Sequence, residues 1–185
     1  MKKLALAALL SVPMLAMAQN GYYIQGDVGF SRQKFESGGH LNGNEVSYGV
    51  AVGKQLQNNA RVEADYTYYG KTGKLRKEGF ELENQGVGLS AIYDFKNNTN
   101  LTPYLGVKVS ANRLDAKVNV MEENGDIVEV GEHRVRAGIG GVAGVQYQMN
   151  PNLALDGGIE YNHLGKVADV NVDQYGAKVG ARVNF

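Results

Sequence analysis

Apolar and polar residues alternate one for one in eight separate stretches of this chain. The last stretch is YGAKVGARVNF, residues 175–185. Phe185, Val183, Ala181, Val179, Ala177 and Tyr175 fall on one side, and Asn184, Arg182, Gly180, Lys178 and Gly176 on the other. A period of two belongs to a β-strand with unlike faces. Eleven residues is long for a soluble strand, which usually has about 5–6. It fits the roughly 9–11 residues that cross a bilayer at a tilt.

The pattern recurs. Residues 22–30 set Tyr22, Ile24, Val28 and Phe30 against Tyr23, Gln25 and Asp27. Residues 46–56 set Val46, Tyr48, Val50 and Val52 against Ser47, Gly49, Ala51 and Gly53. Residues 60–69 set Val62, Ala64, Tyr66 and Tyr68 against Arg61, Glu63, Asp65 and Thr67. Residues 86–95 set Val87, Leu89, Ala91, Tyr93 and Phe95 against Gly88, Ser90, Ile92 and Asp94. In the second half, Leu105, Val107 and Val109 oppose Tyr104, Gly106, Lys108 and Ser110. Val135, Ala137 and Ile139 oppose Arg136, Gly138 and Gly140. Leu155, Ile159 and Tyr161 oppose Asp156, Glu160 and Asn162.

The connectors alternate in length. Three are short and turn-like, at 57–59, 96–100 and 149–152, and four are long, at about 31–45, 70–85, 113–134 and 165–173. This is the signature of an all-β, eight-stranded antiparallel up-and-down barrel with both termini on the short-turn side. A soluble barrel of the same strand count would turn its apolar face inward. Two features favour the membrane form. The strands are long, and Tyr22, Tyr93, Phe95, Tyr147 and Phe185 cluster near the short-turn ends as an interfacial girdle does. Strand charges on the apolar face are almost absent, Lys54 near a short turn being the exception.

The polar face then lines a lumen carrying Asp27, Arg61, Glu63, Asp65, Asp94, Lys108, Arg136, Asp156, Glu160, Lys178 and Arg182. Eight strands give an interior just wide enough for side chains to fill. Charges of both signs predict a salt-bridged plug, with minor ion leakage at most rather than an open porin. By strand adjacency, Lys178 is expected to meet Glu160 or Asp27, and Arg182 to meet Asp156.

Residues 1–18 read as a cleaved signal peptide. Lys2 and Lys3 precede an apolar run broken by Pro13, and Ala16-Met17-Ala18 is a small-x-small cleavage site. Residues 19–185 form the barrel domain. Removing residues 1–18 leaves 167 residues in which 17 Lys and Arg face 19 Asp and Glu, a net −2. That balance gives no argument for nucleic acid. With no cysteine, no disulfide framework or thiolate chemistry is available. His40, His133 and His163 lie apart, and no Ser-His-Asp arrangement appears. Neither an enzyme nor a cofactor or metal site is expected.

The stretches SAIYDF (90–95), PYLG (103–106), the following Asn112-Arg113, LGKV (164–167) and the closing GARVNF resemble the opacity family of barrels. The resemblance covers the strands and turns and is weak in the long connectors. It implies an eight-stranded outer-membrane barrel whose surface loops act in adhesion or bind host receptors, glycosaminoglycans or complement regulators. It also implies that the terminal strand, with Tyr175, Val183 and Phe185, is read by the barrel insertion machinery. The alternative is a structural barrel that interacts with lipopolysaccharide and supports the envelope.

Two long connectors carry candidate binding residues. Lys71, Lys74, Arg76 and Lys77 form a basic half-loop suited to lipopolysaccharide phosphates or a sulfated glycan. Residues 117–130 alternate around Asn124-Gly125, a favoured hairpin turn pair. The fifth and sixth strands are therefore expected to continue above the membrane, carrying Val118, Val120, Ile127, Val128 and Val130 as a protein-binding edge.

Overall fold

A computed structural model describes residues 21–35, 45–73, 80–121, 127–167 and 170–185. Eight antiparallel strands close into one barrel in simple chain order. They are β1 (Tyr22–Phe35), β2 (Glu45–Gln55), β3 (Ala60–Gly73), β4 (Phe80–Asp94), β5 (Leu101–Met121), β6 (Ile127–Asn150), β7 (Leu153–Val167) and β8 (Val170–Asn184). The seam joins β1 to β8, from Tyr23 opposite Asn184 to Phe35 opposite Val172. Closure leaves no unpaired edge.

The faces follow the alternation, and burial is inverted relative to a soluble protein. Val107, Ile139 and Val135 on the outside are 67, 64 and 71% exposed, while Arg61 and Lys108 on the inside are each only 2% exposed. Such a surface is stable against hydrocarbon, not water. Aromatic residues mark both rims. Tyr93 and Phe95 meet edge to face at 5.1 Å on the short-turn side. On the other rim Tyr48 stacks on Tyr68 at 4.9 Å, and Tyr161 lies 5.2 Å from Tyr175. Phe185, the residue after β8, is ten residue steps along the chain from Tyr175. At about 3.3 Å each and a tilt of about 40°, they span a height of about 25 Å, the apolar band of an outer-membrane barrel.

The short turns are built from asparagine. Asn58 and Asn59 both take left-handed φ values, 62° and 63°, between β2 and β3. Asparagine tolerates that conformation better than other side-chain-bearing residues. Asn97 Oδ1 accepts from the Thr99 amide in the second turn, and Asn150 Oδ1 from the Asn152 amide in the third. On the opposite side the strands outrun the expected connector bounds. β3 continues to Gly73 beyond a register shift at Tyr68/Lys71, where Gly70 has φ +92°. β5 and β6 stay paired from Leu101 opposite Tyr147 up to Met121 opposite Ile127, as the alternation around Asn124-Gly125 predicts.

Candidate functional site

The inward side chains fit because large ones face glycine across the sheet. Tyr23 opposes Gly53, Asp65 opposes Gly88, and Tyr104 opposes Gly144. A methyl group on any of these glycines would collide with the side chain opposite. At these three places the narrow barrel has room for one large group per cross-strand pair.

In the lower lumen, toward the short turns, the Arg61 guanidinium lies 3.1 Å from Asp94 and 3.6 Å from Glu63. Tyr23 Oη donates to Glu63 at 2.7 Å. Arg61 also lies over the Tyr104 ring at 4.7 Å, and Arg182 over the Tyr23 ring at 3.4 Å. Higher up, Lys108 Nζ bridges Asp65 at 2.9 Å and Glu160 at 3.1 Å. Tyr69 Oη and Asn162 Nδ2 both donate to Glu160 Oε1, at 2.8 and 2.6 Å. Above them sit Asn84, Asn112, Asn162 and Gln174, all buried, with Asn84 donating to Gln174 across the lumen at 3.3 Å. Buried Leu114 and Leu164 lie at the same end.

The expected pairings divide. Lys178 Nζ lies 3.4 Å from Asp27, whereas the cation on Glu160 is Lys108. Arg182 does not meet Asp156. It donates to Gln146 Oε1 at 2.9 Å, and Asp156 accepts from Tyr104 Oη at 3.1 Å. The register gives the reason. Arg182 lies opposite Ala154, so Asp156 is a diagonal neighbour, and the cation turns instead onto the Tyr23 ring. Arg136 faces inward opposite Asn112 and is half-buried, and its Nε has no hydrogen-bond partner among the described residues.

Tyr23, Tyr69, Tyr104 and Gln146 were absent from the expected charge network. Their signal was present, because each stands at an inward position of the alternation. Tyrosine reads as girdle on either face, which hid the three tyrosines as hydrogen-bond donors to buried carboxylates, while Gln146 accepts from Arg182.

Among the loop candidates, Lys71 lies on β3 opposite Glu83. Lys74, Arg76 and Lys77 fall outside the described residues. Val118 opposes Val130, Val120 opposes Val128, and Ile127 opposes Met121. Phe80 of β4 also pairs with Val118, so three strands carry the lower part of this extension. Tyr175 and Val183 face outward on β8, and the Phe185 amide donates to the Tyr22 carbonyl at 2.9 Å. His163 lies 2.8 Å from Asp173, and His40 falls outside the described residues. Among the described residues no group of three acidic, histidine or cysteine side chains converges to hold a metal.

A closed barrel with an apolar exterior, two aromatic rims and a lumen crossed by ion pairs defines an outer-membrane barrel. The model of the opacity family porin proteins matches residues 52–185, and this chain belongs to that family. A Haemophilus influenzae relative, Protein opa, is 36% identical over 127 residues, covering 69% of this chain and 95% of its own. The crystal structure of neisserial surface protein A superposes with a TM-score of 0.69 at 33% identity, over 89% of this chain and 97% of the other. Ail of Yersinia pestis, the attachment invasion locus protein, crystallised with the heparin analogue sucrose octasulfate, has the same fold. Its TM-score is 0.56 at 16% identity, over 87% of this chain and 98% of the other. The chain is an outer-membrane protein, and barrels of that class turn their short connections toward the periplasm and their long ones outward.

Proposed function

We propose that this barrel is a surface adhesin that binds host factors through its extended strands and outer loops. The observation that carries the reading is the β5–β6 extension. These strands have 21 and 24 residues. A bilayer crossing takes roughly 9–11. About half of each strand therefore stands above the membrane, on a base stiffened by β4. A two-stranded projection is marginal alone, so this third strand supports a lasting recognition surface.

Val118, Val120, Ile127, Val128 and Val130 are the proposed protein-binding edge. Lys71, Lys74, Arg76 and Lys77 are the proposed site for sulfated glycan or lipopolysaccharide phosphate. The heparin analogue in the Ail crystal structure fits the sulfated-glycan class. Residues 1–18 serve as the export signal in this reading. The segments at 31–45, 70–85, 113–134 and 165–173 are its outer loops.

The test compares intact cells with and without the gene for binding of heparan sulfate, epithelial adhesion receptors and complement regulators. A third strain carries a short turn in place of residues 113–134. The expected result is binding that depends on the gene and is lost in the turn replacement, with barrel assembly unchanged. If no candidate binds differently at normal surface expression, the adhesion reading falls. A structural role beside lipopolysaccharide then takes its place, and envelope permeability becomes the assay.

A further inference from the structure

Lys54 stands apart from the other cations. Among the described strand residues it is the one charge that faces outward in the periplasmic half of the barrel. It lies opposite Tyr22 on β1 and Val62 on β3. Its Nζ is 4.6 Å from the centre of the Tyr22 ring and 3.4 Å from the Tyr22 hydroxyl. No carboxylate pairs with it among the described residues. A cation beside a tyrosine at the end of an apolar band sits at the depth of lipid headgroups.

The wall beside it is hollow. A groove of about 550 Å³ runs over β2 to β5, with Lys54 and Tyr22 at one end. Its hollow comes from Ala64 and Ala91, short side chains between the taller Val52, Val62, Leu89 and Val107. A second groove of about 650 Å³ shares Val52, Ala64, Leu89 and Val109 with the first and continues the channel toward the outer rim. From Lys54 to Val50 the path covers about 13 Å along the strand, at about 3.3 Å per residue. A long apolar channel ending at one unneutralised ammonium matches an acyl chain ending at one phosphate.

We propose that Lys54, Tyr22 and this groove form a binding site for an anionic phospholipid of the periplasmic leaflet. The ammonium takes the phosphate as a point charge. The Tyr22 hydroxyl lies beside it for a second hydrogen bond. An acyl chain fills the space over Ala64 and Ala91. A headgroup without its own cation, such as phosphatidylglycerol, is favoured because it neutralises Lys54. Phosphatidylcholine brings a quaternary ammonium that competes for the same phosphate.

Native mass spectrometry of the purified barrel in detergent tests this, with phosphatidylglycerol and phosphatidylcholine of identical acyl chains titrated separately. The wild type is expected to retain phosphatidylglycerol about tenfold more tightly, the size of one hydrogen bond to a charged group. Lys54→Met should abolish the preference. Lys96→Met, in the neighbouring turn but not lining the groove, should leave it intact. Ala91→Leu, which fills the hollow, should weaken retention of both lipids. Folding of each variant is verified by its heat-dependent gel mobility. Equal retention of the two lipids by the wild type overturns the proposal. So does a preference that survives Lys54→Met or disappears in Lys96→Met, and so does unchanged retention by Ala91→Leu.

Discussion

Lys108 shows what a charge needs in order to sit inside so narrow a barrel. It is buried between Asp65 and Glu160, and Tyr69 and Asn162 donate to Glu160 as well. Removing one partner from such a cluster leaves the others as uncompensated buried charges. Lys108→Met is therefore expected to destabilise the barrel by about 3–5 kcal/mol. Urea unfolding of the protein reconstituted in lipid vesicles would measure the loss. A change below about 0.5 kcal/mol, the usual range for surface substitutions, would mean that water already screens this site. The alternation told which residues face the lumen, because side-chain direction follows from parity alone. It did not tell which inward groups meet. Arg182 illustrates the gap, since its choice of Gln146 and the Tyr23 ring over Asp156 depends on register and reach, which parity leaves open.

At the scale of elements, all eight strands, the three asparagine-rich turns and the continued pairing of β5 with β6 were legible, and the outer ends of β3 and β4 were not. Inside the bilayer every lipid-facing position must be apolar, so the pattern is strict there. Above it, water accepts either kind of residue and the pattern loosens. β3 reaches Gly73 and β4 begins at Phe80, inside the stretch read as a connector, because pairing continues where alternation no longer marks it. The terminal strand carries a prediction of its own. Phe185 lies at the periplasmic rim, where its amide bonds to Tyr22, and it fills no part of the lumen. If Phe185 serves recognition by the insertion machinery, Phe185→Ala should lower the amount of assembled barrel in cells. Refolding of the purified chain into vesicles should be nearly unchanged. Equal losses in both assays would assign Phe185 to stability instead.

The molecule as a whole is a filled tube. Arg61, Lys108, Lys178 and Arg182 each meet a carboxylate, an amide or an aromatic ring within the lumen, and a layer of buried amides lies above them. Although the family description includes the word porin, planar bilayers containing this protein are expected to show no stable solute-sized conductance. A steady current that admits sugars would refute the plug.

The seam between β1 and β8 has a consequence for how the protein is made. Tyr23 pairs with Asn184 and Phe35 with Val172. The first strand to cross into the periplasm thus finds its second neighbour only when the last residues have followed. Until then any partial sheet exposes two bare edges and one oily face, the combination most open to wrong partners. Delivery of this chain therefore demands an escort that holds it unpaired across an aqueous compartment. A drop in escort supply should deplete this barrel before it affects exported proteins whose strands pair as they emerge.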